Sequence, residues 1–238
     1  MDPIKAVLVF LATLFFVMAP LLSGGFGGFT PAQFPIPQDH PPVQPAGYAF
    51  AIWGPIYLGL IVSAGYGLFA CARDGAWEAT RLPLILSLGP GAAWIGVAQL
   101  SPIWATVLIW WMLACALVAL ARCPHRDRWL LQAPLAVYAG WLTAAAWVSV
   151  GLIGAGYGLG LDETGWAILS LAGALGTGSA MQRRLRRAPE YGAAITWALI
   201  GVVVANLGAN LPVAALAAVG ALLIGSLALR FIQTAPAE

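Results

Sequence analysis

The chain reads as an all-α, polytopic integral membrane bundle of about eight transmembrane helices with both termini cytoplasmic. Three observations carry that reading. Of 238 residues, 61% are apolar and only 8% charged, against roughly 45–50% and about 25% in an average soluble domain. Apolar runs near the length needed to cross hydrocarbon, about 20 residues, recur from end to end and break at charged or Pro/Gly clusters. The basic residues sort onto alternate connections. This composition excludes a soluble enzyme, a nucleic-acid binder and a disordered chain. The net charge of +2 says less than the placement of the charges.

In chain order the expected helices are 6–22, 47–71, 83–99, 103–121, 131–153, 164–181, 192–207 and 212–230. The first could serve as a cleaved signal, with Lys5 before an apolar core and Ser23-Gly24-Gly25 after it; its core is long for a signal, so a retained anchor is expected. The second follows a Pro-rich segment and carries Pro55, which should bend it. The third and fourth are parted only by Leu100-Ser101-Pro102, and the seventh and eighth only by Gly208–Leu211 ahead of Pro212. Both prolines sit where a new helix can start, since the N–H that proline lacks has no partner there anyway. The fifth lies in the charge-free stretch from Trp129 to Leu161, which suits a long or tilted span.

Sidedness supports the count. Lys5, Arg73, Arg81, Arg122, Arg126, Arg128, Arg183, Arg184, Arg186, Arg187 and Arg230 account for all eleven basic residues. With eight spans they fall on one face, which the positive-inside rule makes cytoplasmic. Merging either closely spaced pair would scatter the later arginines across both faces. The Arg183–Arg187 cluster can also attract anionic headgroups.

No Asp, Glu, Lys, Arg or His falls within an expected span, which argues against an ion pump. Lys5 is the sole lysine, so no helix offers a retinal Schiff base. His40 and His125 lie on opposite faces and read as solvated loop residues that share no metal. Cys71, Cys115 and Cys123 read as free thiols, and no Cys/His cluster suggests zinc. The glycine-rich run Gly154–Gly160 lacks the preceding strand that a phosphate loop requires, so it reads as close helix packing or a flexible exit. The segments Ala64–Leu68 and Ala155–Leu159 match in sequence but are too short to establish a repeat.

What remains is aromatic. Among eleven tryptophans, Trp129 and Trp166 fit the interfacial belt of any membrane protein. A loop rich in Gly and Pro, residues 23–46, contains Asp39 and His40 and leads into Tyr48 and Phe50, then Trp53-Gly54-Pro55-Ile56-Tyr57. The spacing of Phe50, Trp53 and Tyr57 places them on one helix face. Trp141, Ala145 and Ser149 recur every four residues along another. Such stripes either fill space between helices or line an apolar pocket with a few orienting polar groups. Gln99, Ser149, Asn206 and Asn210 are the polar candidates, and each needs a partner if buried.

The Trp53–Tyr57 segment, with its Pro-rich approach and Tyr48-Ala49-Phe50, resembles the second-helix signature of the TspO/MBR family, the translocator or tryptophan-rich sensory proteins. Gln99 to Ala105 is similar to the turn into that family's fourth helix. Pro134, Tyr138, Trp141 and Ala145 are similar to its fifth, with Ser149 where the family carries Asn. The resemblance covers about residues 6–153. It implies a five-helix TspO-like bundle over 1–153, lengthened by three further helices over 154–238, as in longer bacterial members. It also implies an aromatic pocket, lined by Phe50, Trp53, Tyr57, Trp104, Trp141, Ala145 and Ser149 and capped by the 23–46 loop. Its ligand would be a tetrapyrrole, sterol or carotenoid, sensed or transported in the inner membrane without catalysis.

Two other readings stand beside it. A structural or assembly subunit of a larger complex, for instance a pigment-bearing one, or a homodimer, would use small-residue faces such as Ala172/Gly176 and Gly154/Gly158. A membrane enzyme acting on a lipid would have only Asp39, His40, Asp162 and Glu163 on the outer face to work with.

Overall fold

In the computed structural model, residues 3–124 and 126–233 are described, and their regular structure is helical, with no strand among them. His125, expected as a loop histidine, lies outside the described residues. The helices are α1 (Ile4–Ser23), α2 (Trp53–Phe69), α3 (Gly75–Gly91), α4 (Trp94–Leu100), α5 (Pro102–Ala121), α6 (Ala133–Gly156), α7 (Glu163–Arg184), α8 (Pro189–Asn206) and α9 (Leu211–Gln233). A 3₁₀ stretch, Gly47–Ile52, feeds α2, and a π-turn, Arg128–Gln132, feeds α6. Among the described residues, six stretches are long and apolar enough to cross a membrane: Ile4–Ser23, Gly47–Phe69, Gly75–Leu100, Pro102–Ala121, Arg128–Gly156 and Leu211–Phe231. The remaining long helices, α7 and α8, carry charge at their ends and pack into the same bundle.

Both short junctions separate helices as expected. Ser101 caps α5, its hydroxyl accepting from the Trp104 N–H with Pro102 in the first turn. Asn210 Oδ1 accepts from the Val213 N–H ahead of α9. The third span differs from expectation: it begins earlier and is broken. Pro90 has no N–H to give the Leu86 carbonyl, the interruption a mid-helix proline imposes. The chain turns at Ala92–Ala93, and the Trp111 indole N–H donates to the Leu86 oxygen at 2.9 Å. Pro55, expected inside the second span, sits in the first turn of α2, where a missing N–H costs little, and the geometry changes just before it, from 3₁₀ to α at Trp53.

The early start of α3 also places Glu78 and Arg81 within a helix instead of the preceding loop. Arg81 is buried and donates to the Cys71 and Ala72 carbonyls at 2.6 and 2.8 Å and to Glu78 at 2.8 Å. That fixes the α2–α3 turn. Polar contacts then run across this end of the bundle. Lys5 pairs with Glu78, Arg126 with Asp74, and Arg128 with Glu190 at 2.7 Å. Arg187 donates to the Leu120 and Ala121 carbonyls that close α5. The loops that carry the basic residues thus gather at one end, and the 23–46 segment covers the other.

At the centre lies α6, the most buried span, packed against α2, α5, α7 and α8. Gly140 allows its closest approach: a Cβ there would collide with the Tyr191 carbonyl of α8. Thr143 and Tyr191 join hydroxyls at 2.9 Å across the same seam. Gly154 is not a free docking face, because the Trp166 ring of α7 lies directly over it. Trp166, read from the sequence as an interfacial belt residue, fills that notch while its N–H reaches the Leu159 carbonyl. Gly158 is likewise approached by Ile36.

Candidate functional site

The 3₁₀ turn delivers Phe50 beside the first turn of α2, where Trp53 and Tyr57 stack with ring centroids 5.3 Å apart. The indole of Trp197 holds this entry by donating to the Ala49 carbonyl at 2.8 Å. From α6, Trp141 presents its ring edge-on to both Phe50 (5.8 Å) and Trp53 (6.2 Å). Phe16 of α1 meets Trp53, Tyr57 and Tyr138 in the same T-shaped manner, an arrangement favoured by the ring quadrupole.

These rings do not close on one another. They surround a cavity of about 250 Å³ whose wall includes Phe16, Phe50, Trp53, Tyr57, Trp94 and Trp141. A smaller chamber of about 60 Å³ shares Phe26, Phe50, Trp94, Ile109, Trp141 and Ala145 with it, and reaches Ser149, Ser170 and Val202. Together they approach the lower limit of small-molecule pockets, roughly 300–1,000 Å³.

Six of the seven expected pocket residues, Phe50, Trp53, Tyr57, Trp141, Ala145 and Ser149, therefore meet around this space. Trp104 does not join them. It is 66% exposed and lies in a shallow outer groove with Val97, Leu100 and Trp111. Ile109 of the same helix borders the cavity while Trp104 lies in the outer groove, and spacing within a single helix does not say which face is which.

Phe16, Phe26, Trp94 and Ser170 escaped the sequence reading. All four stand outside the Trp53–Tyr57 and Trp141–Ser149 stripes; Phe26 alone had a signal, an aromatic set with Phe29 in a glycine-rich loop. It packs on Trp94 at 4.7 Å, and Trp94 anchors α4 to α5 by donating to the Ala105 carbonyl at 2.9 Å.

The 23–46 segment forms an ordered cap. Gln33 donates to the Ala98 and Gln99 carbonyls at 2.7 and 3.1 Å, the Ile36 N–H to the Gly156 carbonyl, and the Ala46 N–H to the Gly201 carbonyl. Three of the four polar candidates serve as fasteners rather than pocket groups. Gln99 reaches the Ser23 carbonyl, Asn206 the Pro42 and Val202 carbonyls, and Asn210 the Thr164 hydroxyl. Only Ser149 borders the cavity, its hydroxyl donated to the Ala145 carbonyl at 2.9 Å. Asp39 and His40 are exposed on the cap. Among the described residues no group of three His, Cys, Asp or Glu side chains could hold a metal, and all three cysteines are free thiols.

A membrane helical bundle enclosing a ring-lined, nearly apolar cavity under a proline-rich cap is the class of protein these features define. The chain belongs to the TSPO-like protein family, whose sequence model matches residues 6–230. The match runs from α1 into α9, well beyond the stretch in which the resemblance is visible by eye. No curated protein and no solved structure matches the chain.

Proposed function

We propose that this protein crosses a bacterial inner membrane eight times, with both termini cytoplasmic, and binds an apolar small molecule of the tetrapyrrole, sterol or carotenoid kind as a sensor or transporter. The observation that carries the reading is the unfilled space among Phe50, Trp53, Tyr57 and Trp141. Packed interiors leave few voids larger than a water molecule, and here aromatic side chains surround one of about 250 Å³. The portion up to residue 153 supplies the aromatic walls, and the added helices α7 and α8 close the smaller chamber. Binding without turnover suits walls that hold no carboxylate, imidazole or thiol.

Intrinsic tryptophan fluorescence of the purified protein, titrated with protoporphyrin and with a sterol, tests this. Saturable quenching that weakens in Trp53→Phe and Trp141→Phe is expected. Its absence with every ligand overturns the proposal.

A second reading, an assembly subunit or homodimer, draws on α7. Ala172, Gly176 and Ala180 form an exposed small-residue stripe, and Gly176 has open space where a Cβ would stand. Purification in mild detergent separates the two, since a stable large assembly supports this one and a free monomer opposes it.

A further inference from the structure

We infer that the ligand of this cavity is uncharged and carries one hydrogen-bonding oxygen, a hydroxyl or a carbonyl, which Ser170 of α7 engages. The inference rests on the cavity being a ligand site, and it specifies what that site selects.

Helical Ser and Thr in apolar surroundings commonly return their hydroxyl proton to the carbonyl four residues back. In this bundle Thr13, Thr106, Thr143, Ser149 and Thr196 all do so, at 2.8–2.9 Å. Ser170 breaks the pattern. It is 1% exposed, borders the smaller chamber, and its hydroxyl has no partner at all. A buried hydroxyl left unpaired is costly, so a bundle that satisfies the other five has left this one for something not of its own chain.

The surroundings specify the visitor. The Ser170 oxygen and Val43 of the cap both face Gly151 of α6; a Cβ there would come within 2.8 Å of the first and 3.0 Å of the second. The remaining walls are nearly all apolar, and no Lys, Arg or His lines either chamber among the described residues. An ionised carboxylate would be stranded there without a counter-charge, at a cost of several kcal/mol. A neutral oxygen would need only a donor such as Ser170 offers, beside the Gln44 amide and the Tyr57 phenol that also line these chambers. Of the three ligand kinds proposed above, the geometry favours those without ionised groups.

A matched trio on one C15 isoprenoid skeleton tests this: farnesol (hydroxyl), farnesene (no oxygen) and farnesoic acid (carboxylate), titrated by calorimetry into the full chain in detergent. Farnesol is expected to bind about tenfold more tightly than farnesene, the worth of one net hydrogen bond, and farnesoic acid at pH 8 more weakly than either. Ser170→Ala should bring farnesol down to the farnesene level and leave farnesene unchanged, which also reports that the variant is folded. Thr13→Ala, which removes a hydroxyl outside the cavity, should preserve the tenfold gap. A gap that survives Ser170→Ala, or a preference for the acid, overturns the inference while leaving the cavity as a binding site. Failure of all three compounds to bind removes the cavity reading itself.

Discussion

Trp111 and Leu86 show how a single side chain answers a defect elsewhere. Proline at position 90 strands a carbonyl in hydrocarbon, where an unsatisfied backbone group costs several kcal/mol, and an indole from the neighbouring helix supplies the donor. Trp197 does the same for Ala49. Part of the tryptophan richness thus belongs to backbone repair, which counting tryptophans could not reveal. Glycines divide in the same way. Gly140→Ala should lower the thermal midpoint in detergent, since a methyl forced into the Tyr191 carbonyl carries the overpacking cost of about 1–3 kcal/mol. Gly176→Ala, with open space at that position, should leave the midpoint nearly unchanged. Equal effects at both positions would contradict the packing of α6 on α8. Cys123, outside the spans, is buried, and that burial pushes its thiol up to about 12, with Arg187 opposing only in part. A raised thiol stays protonated, hence unreactive, at every pH below that value. Iodoacetamide at pH 8 is therefore expected to leave Cys123 unmodified in the native protein and to alkylate it after denaturation, as read by peptide mass spectrometry.

Among the elements, the cap and α7 repay the closest comparison with the sequence. A long Gly/Pro segment free of basic residues was legible as a long connection between helices. Its order was not, because that order comes from partners on α4, α6 and α8 that are distant in the chain. Gln33→Ala removes two of those bonds, and amide exchange across residues 31–44 should accelerate while α6 stays protected. Unchanged exchange would mean the cap is held by its apolar contacts, Phe34 over Gly156 and Val43 near Gly151. In α7 the apolar pattern correctly indicated a helix, but its two faces could not be told apart. One buries Ser170 against the chamber; the other exposes Ala172 and Gly176.

Considered whole, the bundle is polarised. Every loop rich in arginine meets another at one end through Lys5–Glu78, Arg126–Asp74 and Arg128–Glu190, and the cap covers the opposite end. If that basic end faces the cytoplasm, Arg73→Cys and Arg184→Cys, each in a cysteine-free background, should react with an impermeant maleimide only in inverted vesicles. Asp39→Cys should react only in intact spheroplasts. Labelling of positions 73 and 184 from different sides would dismantle the eight-crossing reading. The helical class, the two short junctions and the grouping of basic loops were readable from linear order, because hydrocarbon demands long apolar runs with internally satisfied backbone and insertion sorts cations to one side. Those are local or additive properties of a chain. Which ring faces the cavity and which faces lipid is a relation between helices. Phe50 and Trp141 face inward and Trp104 outward, and Ser170 is left unpaired because of how α6, α7 and the cap meet. In a chain this uniformly apolar, polarity does not mark the inner face of a helix. Only the fit of one helix against another, through contacts such as Gly140 on Tyr191 and Trp166 on Gly154, assigns it.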